Sequence, residues 1–348
     1  MNDEQSVLPA TSAFVFTGRA SVYFRIWAVS LLLSILSLGI YSAWGKVRKK
    51  RYLYAHTILD GTGFEYRASP LAILRGRVIA VALFGGFALS GHFVRGMQAV
   101  FVLLLLLLLP WIVVAAARFN ARNSAWRNIT FGFDGTIGEA AKIFLGLGAL
   151  AIVTLGFGYP YFKMRRTRFI IARHHFGTTR LEADIAAGGF IVTYLLAVLM
   201  TIGLVVLVVV ATIVEAMLSR AASHAAPNQI VFLSDMALSY AGYIAVYAYV
   251  RARLGNLTFN AIVAGPLRCR SRLRARDMVW LYITNVLAIL GTVGLAAPWV
   301  TVRMARYRIN RLRLVGSTTP EVYMGARRET SSATGSEVSD LFDVDVSL

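Results

Sequence analysis

Seven apolar segments decide what this chain can fold into. They lie at about 26–44, 78–94, 98–117, 143–161, 189–214, 229–250 and 279–300. Between Phe101 and Pro110 stand seven consecutive leucines, more than a water-soluble core needs. Composition agrees: 57% of residues are hydrophobic and 15% charged, where soluble chains carry roughly a quarter charged. A crossing helix takes about 20 apolar residues. Segments three, five and six meet that length, and the glycine-rich second segment is adequate. The fold class expected is mainly α, a polytopic membrane protein. The N-terminus Met1-Asn-Asp-Glu-Gln lacks the basic start of a signal peptide, so the internal segments are expected to direct insertion.

Segments one, four and seven are each interrupted by a glycine near the end and run into a basic, aromatic stretch. Aligning Gly39, Gly156 and Gly294 exposes an internal repeat. The first copy reads Ser37-Leu-Gly-Ile-Tyr-Ser-Ala-Trp44 and continues through Arg48 to Arg51-Tyr52. The second reads Thr154-Leu-Gly-Phe-Gly-Tyr-Pro-Tyr161 and continues through Arg165 to Arg168-Phe169. The third reads Thr292-Val-Gly-Leu-Ala-Ala-Pro-Trp299 and continues through Arg303 to Arg306-Tyr307. An aromatic residue stands twelve positions before each glycine: Trp27, Phe144 and Tyr282. Gly39, Gly156, Pro160, Gly294 and Pro298 are therefore expected to kink their helices.

Short β-type runs flank the repeats. Phe14-Val-Phe16, Asn128-Ile-Thr-Phe131 and Asn256-Leu-Thr-Phe259 precede the three copies. Thr57–Tyr66 and Thr178–Glu182 follow the first two. Asp60-Gly61 has the composition of a hairpin turn. Small strands packing together outside the bilayer are expected. The organisation predicted is an N-terminal tail (1–12), repeat one with two crossing helices (13–127), repeat two with two more (128–255), repeat three alone (256–328), and an acidic, Ser/Thr-rich disordered tail (329–348).

The net charge of +19 suits nucleic-acid binding or a positive-inside membrane protein. The basic residues flank apolar blocks, which favours the second. If all seven segments crossed, the two sides would receive 16 and 20 of the 36 Lys and Arg. If segments one, four and seven instead return to the face they left, the split becomes 34 against 2. The second arrangement obeys the positive-inside bias and keeps all three copies the same way up. Its basic loops are cytoplasmic.

The repeated Arg-aromatic pattern carries the candidate chemistry. Trp44, Arg48, Arg51, Tyr52, Arg165, Arg168, Trp299, Arg303, Arg306 and Tyr307 are candidates for a lipid-headgroup or anion site, with interfacial anchoring as the plainer role of the same residues. Asp235 and Tyr240 approach segment six, and His92 and Glu215 stand at segment ends. Asp134 and Glu139 read as solvated. His174-His175 lacks metal-ligand spacing, and the single cysteine, Cys269, excludes a disulfide framework. No catalytic set, cofactor motif or metal motif is legible, so no enzyme and no cofactor is expected.

The string Phe16-Thr-Gly, Tyr23-Phe-Arg-Ile-Trp27, Leu38-Gly-Ile-Tyr-Ser-Ala-Trp44, Lys46-Val-Arg48, Arg51-Tyr52, Leu59-Asp-Gly61, Phe64-Glu-Tyr66 and Pro70 to Arg77 resembles the YjgN-like family of bacterial inner-membrane proteins. Leu273 to Trp280, Pro298-Trp299, Arg303 and Arg306-Tyr307 look like that family's C-terminal copy. The likeness covers about 13–325, and copy two departs with Tyr161 in place of Trp. It implies a multi-pass inner-membrane protein of unknown function and brings no activity. Two roles compete: binding or transport of a lipid or amphiphilic anion, or a scaffold presenting a basic cytoplasmic surface to a protein partner. Membrane lipids are the partners expected in either case.

Overall fold

Two-residue turns organise the polar part of the chain. The computed structural model describes residues 11–93, 96–221 and 229–316. Asp60 and Gly61 take φ of 48° and 74°, and Arg127 and Asn128 take 48° and 63°. Positive φ at both central residues is the type I′ geometry whose twist suits a hairpin. The first turn joins β2 (Thr57–Leu59) to β3 (Thr62–Tyr66), and the second joins β4 (Ser124–Trp126) to β5 (Ile129–Phe133). Gly177-Thr178 joins β6 (His174–Phe176) to β7 (Thr179–Ala183), and Gly265-Pro266 joins β8 (Ile262–Ala264) to β9 (Leu267–Ser271). In these two turns only the glycine has positive φ, 57° in each.

The fifth pair has no turn. β1 (Thr11–Phe16) lies antiparallel to β10 (Leu312–Val315), with Ser12 opposite Leu314. β1 also pairs with β2, Val15 opposite Ile58, and the ring closes as a ten-strand antiparallel barrel. Closure leaves no strand edge exposed, which is how three-residue strands persist. The strands alternate: Cys269 and Ser271 are buried while Arg268 and Arg270, the residues before each, are exposed. Phe14, Phe64, Trp126, Phe176 and Phe131 follow one another with ring centroids 4.9 to 6.2 Å apart.

Every helix belongs to an excursion that leaves one strand and returns to the next. Between β1 and β2 run α1 (Ala20–Leu36) and α2 (Ser42–Ala55). Between β3 and β4 run α3 (Pro70–Phe93) and α4 (Met97–Arg122). Between β5 and β6 run α5 (Ile137–Ala141), a π-helical segment (Lys142–Leu147), α6 (Gly148–Val153) and α7 (Tyr159–Ala172). Between β7 and β8 run α8 (Ala187–Ala221) and α9 (Gln229–Asn260), and between β9 and β10 run α10 (Ala275–Gly291) and α11 (Ala297–Ile309). The chain divides into two units. One takes the described residues of Met1–Ile185, Phe259–Arg270 and Pro298–Leu348; the other takes those of Ala186–Thr258 and Ser271–Ala297.

In the first unit, burial concentrates where helix roots meet strands. Ala43, Val47, Tyr66, Ala68, Ile73 and Phe119 form one cluster; Phe16, Tyr23, Tyr52 and Val302 form another. A third joins Val113, Ala117, Phe133, Phe144 and Phe169. Far ends of the same helices expose apolar surface, as at Leu32, Ile35 and Leu36 of α1.

The expected fold class needs correction. A mainly α polytopic fold with short accessory strands does not describe a chain whose strands close into a ten-strand barrel. Three helices among the described residues are long and apolar enough to cross a membrane: Pro70–Ser90, Met97–Arg122 and Ala187–Met217. The helix of segment six, α9, is not among these three, and the residues at its start lie at the edge of the described residues. Asn256–Phe259, expected as a strand, lies in the last turns of α9. The three-residue strands β4, β6 and β8 are too short to show alternation in sequence, and β9 and β10, five and four residues long and rich in arginine, are not among the expected runs either. The acidic tail 329–348 and residues 1–10 lie outside the described residues.

Candidate functional site

Each of the three predicted kinks is a turn between two helices. In each turn an apolar residue and the following glycine both take positive φ: Leu38 49° and Gly39 92°, Leu155 50° and Gly156 92°, Val293 51° and Gly294 89°. Gly39 N–H donates to the Ser34 carbonyl (2.7 Å) and Leu38 N–H to that of Ile35 (3.1 Å), which is a Schellman closure. The same pair of bonds recurs from Gly156 and Leu155 to Ala151 and Ile152, and from Gly294 and Val293 to Ile289 and Leu290. A hydroxyl finishes each turn. Ser37 Oγ accepts Tyr41 N–H at 2.8 Å, Thr154 Oγ1 accepts Gly158 N–H at 2.8 Å, and Thr292 Oγ1 accepts Ala296 N–H at 2.9 Å. This is why the repeat reads Ser/Thr-x-Gly: the hydroxyl supplies an acceptor that the open turn lacks. Pro160 and Pro298 each stand second in the returning helix, where a missing N–H costs nothing.

Leu38, Leu155 and Val293 are 95%, 89% and 93% exposed, and Phe157 is 90% exposed. A leucine or valine in the left-handed region costs about 1 kcal/mol where glycine would cost none. Apolar side chains are thus held at the tips against backbone preference.

The candidate cations divide into two groups. Arg51 is committed to structure: Nε donates to the Tyr66 carbonyl (3.2 Å) and Nη2 to that of Ala68 (3.3 Å). Arg306 Nη2 donates to the Gly18 carbonyl at 2.8 Å. Both residues stand six positions before a strand and hold the carbonyl two positions past the end of a neighbouring strand. Two residues absent from the sequence-derived set do the same job. Arg118 donates to Gly135 (3.2 Å), and Asn256 donates to the Leu273 carbonyl (2.8 Å) while accepting Leu273 N–H (2.7 Å). The signal that finds them is the six-residue spacing to Ser124 and Ile262, visible only once β4 and β8 are known. Tyr52 is buried, and its hydroxyl accepts Arg19 N–H (2.7 Å) and donates to the Arg19 carbonyl (2.9 Å), bracing the start of α1.

Arg48, Arg165 and Arg168 are exposed on their returning helices. Arg303 lies over the Trp299 ring (4.9 Å), Tyr307 sits beneath Arg311 (5.1 Å), and Trp44 stacks with Tyr41 (6.0 Å). Lys49 is half-buried. Burial, then Arg77, then Lys46 push its pKa below the usual lysine range. Neither α2 nor α3 contains an Asp or Glu to offset these cations.

The remaining candidates do not assemble a reaction centre. His174 and His175 face opposite sides of β6: His174 is buried with Nδ1 donating to the Ile170 carbonyl (2.6 Å), and His175 Nε2 is 3.4 Å from Asp134. Glu139 pairs with Arg173. In the second unit Thr212 donates to Asp235 Oδ2 (2.9 Å), Tyr240 is exposed, and Glu215 Oε2 is buried with no hydrogen-bond partner among the described residues. The side chain of His92 lies outside the described residues. No group of three metal-ligating side chains occurs among the described residues.

A barrel carrying apolar helices long enough to cross a bilayer, together with the tip geometry, defines a membrane protein. The chain belongs to a family of bacterial proteins of unknown function, DUF898, whose model matches residues 11–341. It is 25% identical to the inner membrane protein YjgN of Salmonella typhimurium strain LT2, over 87% of this chain and 88% of that protein. It is 33% identical to the inner membrane protein YjgN of Escherichia coli K12 over 35% of this chain and 31% of that protein. These relatives agree with the family that Phe16 to Arg77 suggested. No solved structure matches.

Proposed function

We propose that this is a multi-pass inner-membrane protein, without catalytic activity, that binds a lipid or amphiphilic anion at the roots of three hairpins dipping into the bilayer from the cytoplasmic face. The observation that carries the reading is the exposure of Leu38, Leu155 and Val293 at 95%, 89% and 93% on tips whose backbone groups are internally bonded. Six large apolar side chains at the three tips would gain on the order of 10 kcal/mol together on entering hydrocarbon. The hydroxyl-closed turns meet the demand that non-helical backbone at membrane depth be satisfied.

Barrel closure supports the same-face arrangement. Within the first unit, the excursions that follow β1, β3 and β5 each start and end on the barrel, which favours a shared side for their basic strand-proximal segments. The outgoing arms α1 and α10 are 17 residues each, about 26 Å, short of a full crossing. Arg48, Arg165 and Arg303 are then the headgroup-facing cations, whereas Arg51 and Arg306 act through the barrel. Native mass spectrometry of the purified protein tests this. Changing Arg48, Arg165 and Arg303 together to Ala is expected to strip co-purifying anionic lipid. Unchanged lipid retention would remove the reading.

The scaffold reading has one observation of its own. Arg180, Arg268, Arg270 and Arg313 are exposed on the outer wall of the barrel. A stoichiometric protein crosslinked at Arg268 or Arg270 would favour it.

A further inference from the structure

The second hairpin differs from the first in one respect that opens a groove. In the first hairpin α1 and α2 touch: Ser30 is buried, and a Cβ on Gly45 would lie 2.9 Å from Ser30 Cβ. In the gapless alignment Leu147 and Phe162 occupy those two positions in the second copy. Phe162 cannot nest as Gly45 does, and the outgoing arm here contains the π-helical segment Lys142–Leu147. Such segments gather at functional sites. The outcome is a groove of about 500 Å³ lined by Gly148, Ala151, Ile152, Gly156, Tyr159 and Phe162. That is within the range of small-molecule sites, roughly 300–1,000 Å³.

The groove is apolar, and a cation stands one helical turn beyond its Phe162 end. Leu155 belongs to its lining at the tip. Towards the root, Phe162 meets Phe144 edge-on at 6.1 Å, and the Arg166 guanidinium lies 5.7 Å from the Phe144 ring. Arg166 follows Phe162 by four residues, so the two share a helix face. Lys163 and Arg165 flank it in sequence. An apolar slot with a cation one turn beyond its end matches one molecule type: an acyl chain carrying an anionic head. We infer that the second hairpin holds a single phospholipid, its acyl chain along Gly148, Ala151 and Gly156 and its phosphate at Arg166. The inference rests on the lipid reading above and assigns it a place.

The test uses the full chain in nanodiscs containing phosphatidylglycerol with a diazirine in one acyl chain, followed by peptide mapping. Label concentrated on 148–162 is expected. Gly148→Phe should cut it at least fivefold, since a Cβ there meets only Phe162, at 4.0 Å, and a ring would fill the slot. Arg166→Ala should cut it at least threefold, while Leu31→Phe, the matching position in the first hairpin, should leave it unchanged. Label spread evenly over α6 and α8, or unaffected by Gly148→Phe, would overturn the site while leaving lipid binding elsewhere intact. Equal labelling by a diazirine fatty acid that is indifferent to Arg166→Ala would overturn the phosphate assignment. If Gly148→Phe fails to fold, the unsubstituted map and Arg166→Ala still decide. Absence of retained lipid anywhere on the chain would defeat the broader reading first.

Discussion

Arg306 Nη2 donates to the carbonyl of Gly18 at 2.8 Å, joining residues 288 positions apart. Four residues on, Asn310 Oδ1 accepts the Phe16 N–H, also at 2.8 Å. These bonds fasten the two ends of the described chain beside the β1–β10 pair, where no turn does so.

Removing either should loosen the barrel. Arg306→Ala and Asn310→Ala are each expected to cost about 1–2 kcal/mol, the range for hydrogen bonds to charged or part-buried groups. Arg51→Ala should behave alike, and exposed Arg48→Ala should cost about zero. Denaturant unfolding in detergent compares the four. Equal midpoints for Arg306→Ala and Arg48→Ala would contradict the fastening role.

The hydroxyl-closed turn is tested by isosteres. Thr154→Val removes the acceptor of Gly158 N–H and should cost about 1–3 kcal/mol, whereas Thr154→Ser should be nearly neutral. Gly156→Ala, at φ of 92°, should cost about 1 kcal/mol or more. Leu155→Gly relieves backbone strain and should not destabilise in detergent, yet it should weaken insertion into vesicles.

Cys269 is buried, and that burial pushes its thiol up to about 11. At pH 8 the thiolate share is then about one thousandth. Maleimide should react slowly with the folded protein and fully once it is denatured. Fast native labelling would mean that β9 does not turn Cys269 inward.

Cysteines placed singly at Asp60, Arg127 and Thr178 probe the barrel turns. Against the slow background of Cys269, all three should be shielded from an impermeant reagent in intact cells. Opposite labelling of any two is incompatible with one closed barrel on one face.

His174 gives a pH dependence. Burial lowers its pKa, with His175 adding to the shift and the Ile170 carbonyl opposing it. The unfolded chain therefore binds the proton more readily, and stability should fall as pH drops below about 6.5. The expected signature is a midpoint that declines in acid and that His174→Phe partly flattens.

The order of apolar segments, the Ser/Thr-x-Gly repeats and the Arg-aromatic stretches were legible in sequence because each is local: a run, a turn or a spacing along one helix. The hydroxyls of Ser37, Thr154 and Thr292 act within four residues of themselves, so pattern alone located them. Arg48 and Arg51 look equivalent in sequence. Only the position of Tyr66 and Ala68 assigns Arg51 to the barrel.

Sequence by itself determined that the chain carries membrane-length apolar helices and where three of its apolar segments break, since hydrophobic length and the glycine that follows a Ser/Thr are properties of short stretches. Tertiary structure alone decided that ten strands close into one barrel. Short strands gain their stability from partners distant in sequence, up to some three hundred positions where Thr11 faces Val315, and no local pattern records a pairing of that reach.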